Sequence, residues 1–201
     1  MYALAVLGAY LIGAVPFSQV VSLKFVGVDL RTVGTGTVSG TGLYRVGGLA
    51  PLIVGGSLDV AKGALAAFLA GGNGTVAVFT AAAVVIGHCW SVFLRGAGGR
   101  GLSPAMGALA VLYWPGALLL LAALAIGKLA NQTGLAAFIA DVVLVVVLAV
   151  TNGSWGLALG LAIVMPMLLK RVLGNARPPE GSGLWCYGDR LLYDADQHKA
   201  D

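Results

Sequence analysis

Charged residues are scarce in this 201-residue chain, at 10% of the total. A soluble domain of this length exposes about a quarter charged residues, so this surface must face something apolar. Two cysteines, Cys89 and Cys186, are too few for a disulfide framework. Two histidines and two cysteines without metal-ligand spacing argue against a zinc site, and no metal or cofactor is expected. The apolar runs lack the strict polar alternation of a membrane barrel strand. The basic surplus is small, net +4, and is not gathered into a basic domain, which excludes a nucleic-acid partner. No internal repeat is visible.

What is present is hydrocarbon. Hydrophobic residues make up 59% of the chain, and the mean hydropathy is +0.93. Backbone polar groups in lipid must be satisfied within the segment, which selects helices here. Residues 2–23 form a first apolar run, too long and too poor in preceding basic residues for a signal peptide. Further runs cover residues 46–70, 76–94, 102–127, 134–150 and 155–169. The 102–127 run is broken at Trp114-Pro115-Gly116. The remainder after Lys170 is polar.

The placement of basic residues sets the expected topology, because cytoplasmic loops carry excess Lys and Arg. Lys24, Arg31 and Arg45 put the first loop inside and the N-terminus outside; Arg95 and Arg100 put the third inside. If 102–127 crossed once, Lys128, Lys170, Arg171 and Arg177 would all lie outside. Entering and returning about Pro115 brings them inside. Each half is about a dozen residues, roughly 18 Å of helix, short of the ~30 Å of hydrocarbon. The expectation is an all-α integral membrane protein of about seven transmembrane or re-entrant helices, with the N-terminus outside and the C-terminus cytoplasmic. Residues 1–172 form one polytopic domain, and 173–201 form a polar cytoplasmic tail.

Chemistry is expected where polar residues interrupt the apolar rule. Residues 27–45 are dense in glycines, hydroxyls and arginines, including Gly34, Thr35, Gly36 and Arg45. Glycines let backbone N–H groups approach an anion, and arginine binds phosphate oxygens bidentately; a flexible Gly/Thr linker is the alternative. Residues 87–101 hold His88, Gly96, Gly98, Gly99, Arg100 and Gly101. The formal GxGxxG match there follows a membrane helix rather than a strand, leaving an anion nest or a tight turn with topogenic arginines. Asp59 and Lys62, three apart, share a helix face and can pair, either to lock helix packing or to serve a cavity. Asp141 has no local partner in the sequence and is read as structural. His88 suits a general base or a satisfied helix-end histidine.

These residues carry a resemblance. The chain resembles the acyl-phosphate-dependent glycerol-3-phosphate acyltransferases, the bacterial PlsY family, over roughly residues 8–105. That family's Gly-Ser-x-Pro-Phe segment reads Gly13-Ala14-Val15-Pro16-Phe17 here. Its Gly-x-Asp-Ile/Leu-Arg and glycine-asparagine loop falls on residues 27–45 in register. Asp-x-x-Lys-Gly is present as Asp59-Val60-Ala61-Lys62-Gly63, and the Gly-His loop as residues 87–101, with Arg100 at its second lysine. The resemblance implies a seven-helix fold in the bacterial inner membrane and transfer of a fatty acyl group from acyl phosphate to the 1-hydroxyl of glycerol 3-phosphate, giving lysophosphatidic acid for phospholipid biosynthesis. It implies Thr35 and His88 as catalytic groups and Arg45 and Arg100 as phosphate ligands, beside Gly34, Gly36, Gly98 and Gly99. Asp59 and Lys62 would be a supporting pair. The partners implied are the two substrates and the bilayer.

The chain also departs from the pattern. Thr37 and Gly42 stand where the family has asparagines, Ser91 where it has proline, and Ala97 where it has lysine. On the last span, Met165, Leu168 and Arg171 align with His, Asn and Arg, and Glu180 is displaced from the family's glutamate. The alternatives to the enzyme are therefore a catalytically silent paralogue that binds a phosphorylated lipid or metabolite, and a small transporter. A transporter would show paired broken helices with midplane charges, and only Pro115 marks such a break. The His-x-x-x-x-Asp acyltransferase chemistry is excluded, since Phe93 follows His88 at that spacing.

Overall fold

The computed structural model describes residues 2–72, 74–176 and 183–193; Arg177 and Glu180 lie outside them. Helices α1 (Tyr2–Ala14) and α2 (Phe17–Val21) are separated by Pro16. The chain continues through a π-helical turn at Ser22–Val26 into the first glycine loop. A short helix α3 (Gly40–Gly47) and then α4 (Leu49–Phe68) and α5 (Gly74–Cys89) follow. Next come α6 (Leu102–Leu112), α7 (Trp114–Leu129), α8 (Thr133–Leu173) and α9 (Trp185–Tyr193). No strand occurs among the described residues.

Four stretches are long and apolar enough to cross a membrane: Tyr2–Val26, Leu49–Phe68, Gly74–Leu94 and Thr133–Leu173. The last is two limbs. Gly153 leaves helical geometry (φ 60°, ψ −141°), a conformation open to glycine, and the chain folds back. A Cβ at Gly156 would strike the Leu148 carbonyl. At the far end the Arg171 Nη1 donates to the Gly134 carbonyl at 2.9 Å. Each limb is about 20 residues, roughly 30 Å, enough to span. The apolar 102–127 run breaks where the sequence reading put a hinge. Tyr113 is non-helical (φ −161°, ψ 79°), and Pro115 occupies the first turn of α7, where its missing N–H costs nothing.

The helices meet through glycine. A Cβ at Gly13 of α1 would overlap the backbone of Val84 in α5, and one at Gly87 of α5 would overlap the Tyr10 carbonyl in α1. Gly63 of α4 and Gly107 of α6 are related in the same way to Pro104 and Val60. Lipid tails are as apolar as side chains, so close backbone approach rather than water exclusion drives such contacts. Large apolar side chains, among them Leu4, Phe68, Phe79, Leu121 and Val146, are left on the outside.

Basic side chains gather at one end. Lys128 Nζ lies 4.1 Å from the centroid of Tyr44, which brings the end of α7 against α3. Tyr113 and Thr151 share a hydrogen bond at the opposite end, where the Trp155 indole also donates to the Gly74 carbonyl. The chain beyond residue 172 is not featureless. The buried Arg190 of α9 donates to the carbonyls of Leu173 (3.0 Å) and Ala176 (3.1 Å), satisfying acceptors left open at the end of α8.

Adding a side chain at a glycine crossing should therefore destabilise the bundle. Gly63→Leu is expected to lose about 1–3 kcal/mol through overpacking. Gly8→Ala, at a position with nothing within 4 Å of the added carbon, should leave stability near the parent's. Thermal unfolding in detergent reads both, and equal stabilities would contradict the crossing geometry.

Candidate functional site

Pro16 starts the site by breaking α1 from α2. The chain leaves helical geometry there (φ −92°, ψ 72°), so carbonyls at the end of α1 lose their i+4 helical partners. Side chains from α4 and from the loop after α5 take them. Ser91 Oγ donates to the Ala14 carbonyl at 2.5 Å, and Lys62 Nζ donates to the Val15 carbonyl at 2.8 Å. Lys62 also pairs with Asp59 Oδ1 at 2.7 Å, both side chains only 2% exposed. The other carboxylate oxygen of Asp59 accepts from Ser18 Oγ at 2.6 Å. His88 Nδ1 lies 3.7 Å from Asp59 Oδ1. One buried carboxylate thus gathers α2, α4 and α5.

The first glycine loop is seated on α2 by Gln19. Its amide donates to Asp29 Oδ1 (2.7 Å), and its carbonyl accepts from the Leu30 N–H (3.1 Å). The Arg31 guanidinium beside Asp29 holds that carboxyl well below the usual carboxylate range. Leu30, Val38 and Leu43 are buried with Val21 beneath the loop. Thr35 and Thr37 share a hydroxyl–hydroxyl hydrogen bond of 2.8 Å. Gly34 and Gly36 both have positive φ (57° and 67°). Arg45 lies in the last turn of α3 rather than in a loop, with its side chain exposed.

The second glycine loop folds back into the bundle. Gly99 N–H donates to the His88 carbonyl at 3.0 Å, and Val38 N–H donates to the Gly98 carbonyl at 3.1 Å, joining the two loops. Gly99 lies directly on the His88 imidazole: a Cβ there would overlap Nε2 and the Val38 carbonyl. A Cβ at Gly101 would crowd Met167, Val85 and Cys89, so α6 begins well inside the bundle. Arg100 Nη1 donates to the carbonyls of Lys170 (3.1 Å) and Arg171 (3.2 Å) and so covers the end of α8. Lys170, itself buried, reaches the Gly96 carbonyl at 3.3 Å and lies 5.3 Å from the Trp90 ring centroid. Asp141 faces Arg171 across the two limbs of α8, with the Arg171 Nε 4.0 Å from its carboxylate.

Of the residues singled out from sequence, His88, Asp59 and Lys62 form one buried cluster. Thr35, Gly34, Gly36, Gly98, Gly99 and Arg100 lie along the two joined loops. Arg45 is set apart on α3. Sequence reasoning missed Ser18, Lys170 and Asn175. Ser18 was visible as a hydroxyl inside an apolar span, and Lys170 as a terminal cation. Asn175 gave no signal, because only the fold brings it to the loops.

Residues 3–176 match the family described as glycerol-3-phosphate acyltransferase. The chain belongs to that family. A family member from Laribacter hongkongensis, named glycerol-3-phosphate acyltransferase, is 35% identical over 175 residues, covering 81% of this chain and 84% of that protein. One from Moorella thermoacetica, named glycerol-3-phosphate acyltransferase 2, is 40% identical over 111 residues, covering 54% of this chain and 57% of that protein. The chain thus spans little more than half the length of some relatives it matches. The crystal structure of PlsY described as an integral membrane glycerol 3-phosphate acyltransferase, in its glycerol 3-phosphate form, matches with a TM-score of 0.76. It is 29% identical, and the match covers 85% of this chain and 88% of that one. The chain is accordingly a multi-pass helical membrane protein.

Removing one member of the Asp59–Lys62 pair should cost more than removing both. Asp59→Asn leaves the buried ammonium without its carboxylate, at an expected cost of about 3–5 kcal/mol. The Asp59→Asn, Lys62→Met double variant should regain most of that. Detergent-titrated unfolding checks this; a single variant as stable as the parent would sink the pairing argument.

Proposed function

We propose that the protein transfers a fatty acyl group from acyl phosphate to the 1-hydroxyl of glycerol 3-phosphate, giving lysophosphatidic acid in phospholipid biosynthesis. The carrying observation is the joining of two glycine loops, through the Val38–Gly98 hydrogen bond, at the basic end of the bundle in a chain of this family. Both substrates bear phosphate, and both loops offer glycine backbone beside cations. The basic loops suit the cytoplasmic face of a bacterial inner membrane, with the N-terminus outside. Residues 1–172 then form one membrane domain, and 173–201 lie on the cytoplasmic side.

In this reading Arg45 and Arg100 neutralise phosphate charge, with Lys170 as a third nearby cation. Gly34, Gly36, Gly98 and Gly99 permit close approach of the substrate, and Thr35 donates to an oxygen. His88, whose carbonyl holds the second loop through the Gly99 N–H, keeps the attacking hydroxyl in place, with Asp59 3.7 Å from its Nδ1. The acceptor oxygen attacks the acyl carbon, the acyl–phosphate C–O bond breaks, and the hydroxyl proton leaves on inorganic phosphate. The mixed anhydride is already activated, so positioning and charge stabilisation supply the catalysis. No resident metal or cofactor takes part in this scheme.

One observation favours a second reading, a silent paralogue that binds without turnover. Met165, aligned with the family's last-span histidine, is 58% exposed on the outer surface, and Leu168 packs against the apolar core. Neither offers a polar group.

Purified protein supplied with palmitoyl phosphate and glycerol 3-phosphate is expected to release inorganic phosphate only when both are present. Arg45→Ala should lower kcat/KM by about 100-fold or more. Saturable glycerol 3-phosphate binding without phosphate release would select the silent paralogue; neither binding nor release would remove the acyltransferase reading.

A further inference from the structure

Asn175 follows the last membrane span, yet its carboxamide sits between the two glycine loops. Gly174 has φ +64° and turns the chain inward after α8. The Asn175 Oδ1 accepts from the Gly98 N–H at 3.1 Å. Its Nδ2 donates to the Gly98 carbonyl at 2.8 Å and to the Gly36 carbonyl, also at 2.8 Å. One side chain therefore reads both backbone groups of Gly98 and ties them to Gly36, 139 residues away from itself in sequence. A Cβ on Gly36 would already meet the Arg31 carbonyl and the Asn175 Cβ, so the three segments are in contact at this point.

We propose that Asn175 is a positioning residue for the phosphate site, a carboxamide clamp that fixes the distance between the loops of residues 34–38 and 96–100. This rests on the acyltransferase reading. The chemistry demands an amide. Aspartate has no donor for the two carbonyls and sets a negative charge against them and against the incoming phosphate. Leucine has similar volume but makes none of the three bonds, leaving the Gly98 N–H and the Gly36 carbonyl without this partner and the Gly98 carbonyl with the Val38 N–H alone. Asn175 touches no reacting atom in this scheme. It acts by setting where the glycine amides and Thr35 stand relative to Gly98, Gly99 and Arg100. The end of α8 thereby controls the site twice, since Arg100 is bound to the Lys170 and Arg171 carbonyls of the same segment.

The test is the kinetics of phosphate release, in parallel for the parent, Asn175→Leu and Asn175→Asp, over a range of pH. Asn175→Leu is expected to raise the KM for glycerol 3-phosphate by about tenfold or more, at every pH. Asn175→Asp should be similarly impaired at neutral pH. It should recover relative to the parent as the pH falls and its carboxyl protonates, since the neutral acid regains one O–H donor. A residue that only held the fold would lower the active fraction, and with it the apparent kcat, without raising KM. Parent-like KM in both variants, or an Asn175→Asp variant whose deficit does not depend on pH, overturns the proposal. If Asn175→Leu does not fold, the pH dependence of Asn175→Asp decides alone. If the parent neither turns over nor binds glycerol 3-phosphate, the acyltransferase reading fails and the positioning role fails with it. Hydrogen exchange then judges the clamp by itself: residues 34–38 and 96–100 should both exchange faster in Asn175→Asp at neutral pH, while 140–150 stay unchanged. Unaltered exchange in the loops would show that no clamp exists.

Discussion

Close backbone contact at glycine crossings is the constraint on which this bundle depends. Within a bilayer there is no water to expel, so helices hold together through dispersion and a few polar contacts. Reciprocal glycines let α1 meet α5, and α4 meet α6, at distances that any Cβ would forbid. These glycines are next to the chemistry. Gly63 follows Lys62 and Gly87 precedes His88, so the crossings that build the fold also bring Asp59, Lys62 and His88 together.

The second constraint is the fate of backbone carbonyls where helices break. Pro16, Tyr113 and Gly153 each interrupt a membrane segment. At Pro16 the freed carbonyls are taken by Lys62 and Ser91, which makes a local break into a tether for α4 and for the loop after α5. At the end of α8 the open carbonyls are taken by Arg100 and Arg190. Arginines that look topogenic by position are thus also caps, and Arg100 is held by the last span while lying beside the second glycine loop.

The sequence made the membrane class and the run boundaries legible, because hydropathy is a local property. It also made the broken 102–127 run legible, since Pro115 and the requirement to keep basic residues on one side both point there. The Asp59–Lys62 pair followed from helix spacing alone. Long-range geometry was not legible. Nothing local says that Asn175 reaches Gly36, that Asp141 faces Arg171, or that Arg190 buries itself under the end of α8. The placement of Arg45 on a helix was hidden by the glycines around it, which read as loop until Ser39 is seen capping α3 through the Gly42 N–H.

The central claim is that the two glycine loops form a single phosphate site at the basic end of the bundle. A structure determined in the presence of glycerol 3-phosphate tests it most directly. The expected result is the phosphate between residues 34–37 and 96–100, within hydrogen-bond distance of Thr35 or a glycine amide. Density for the ligand at the uncharged end, near Gly74 and Trp155, or against only one of the two loops, would contradict it.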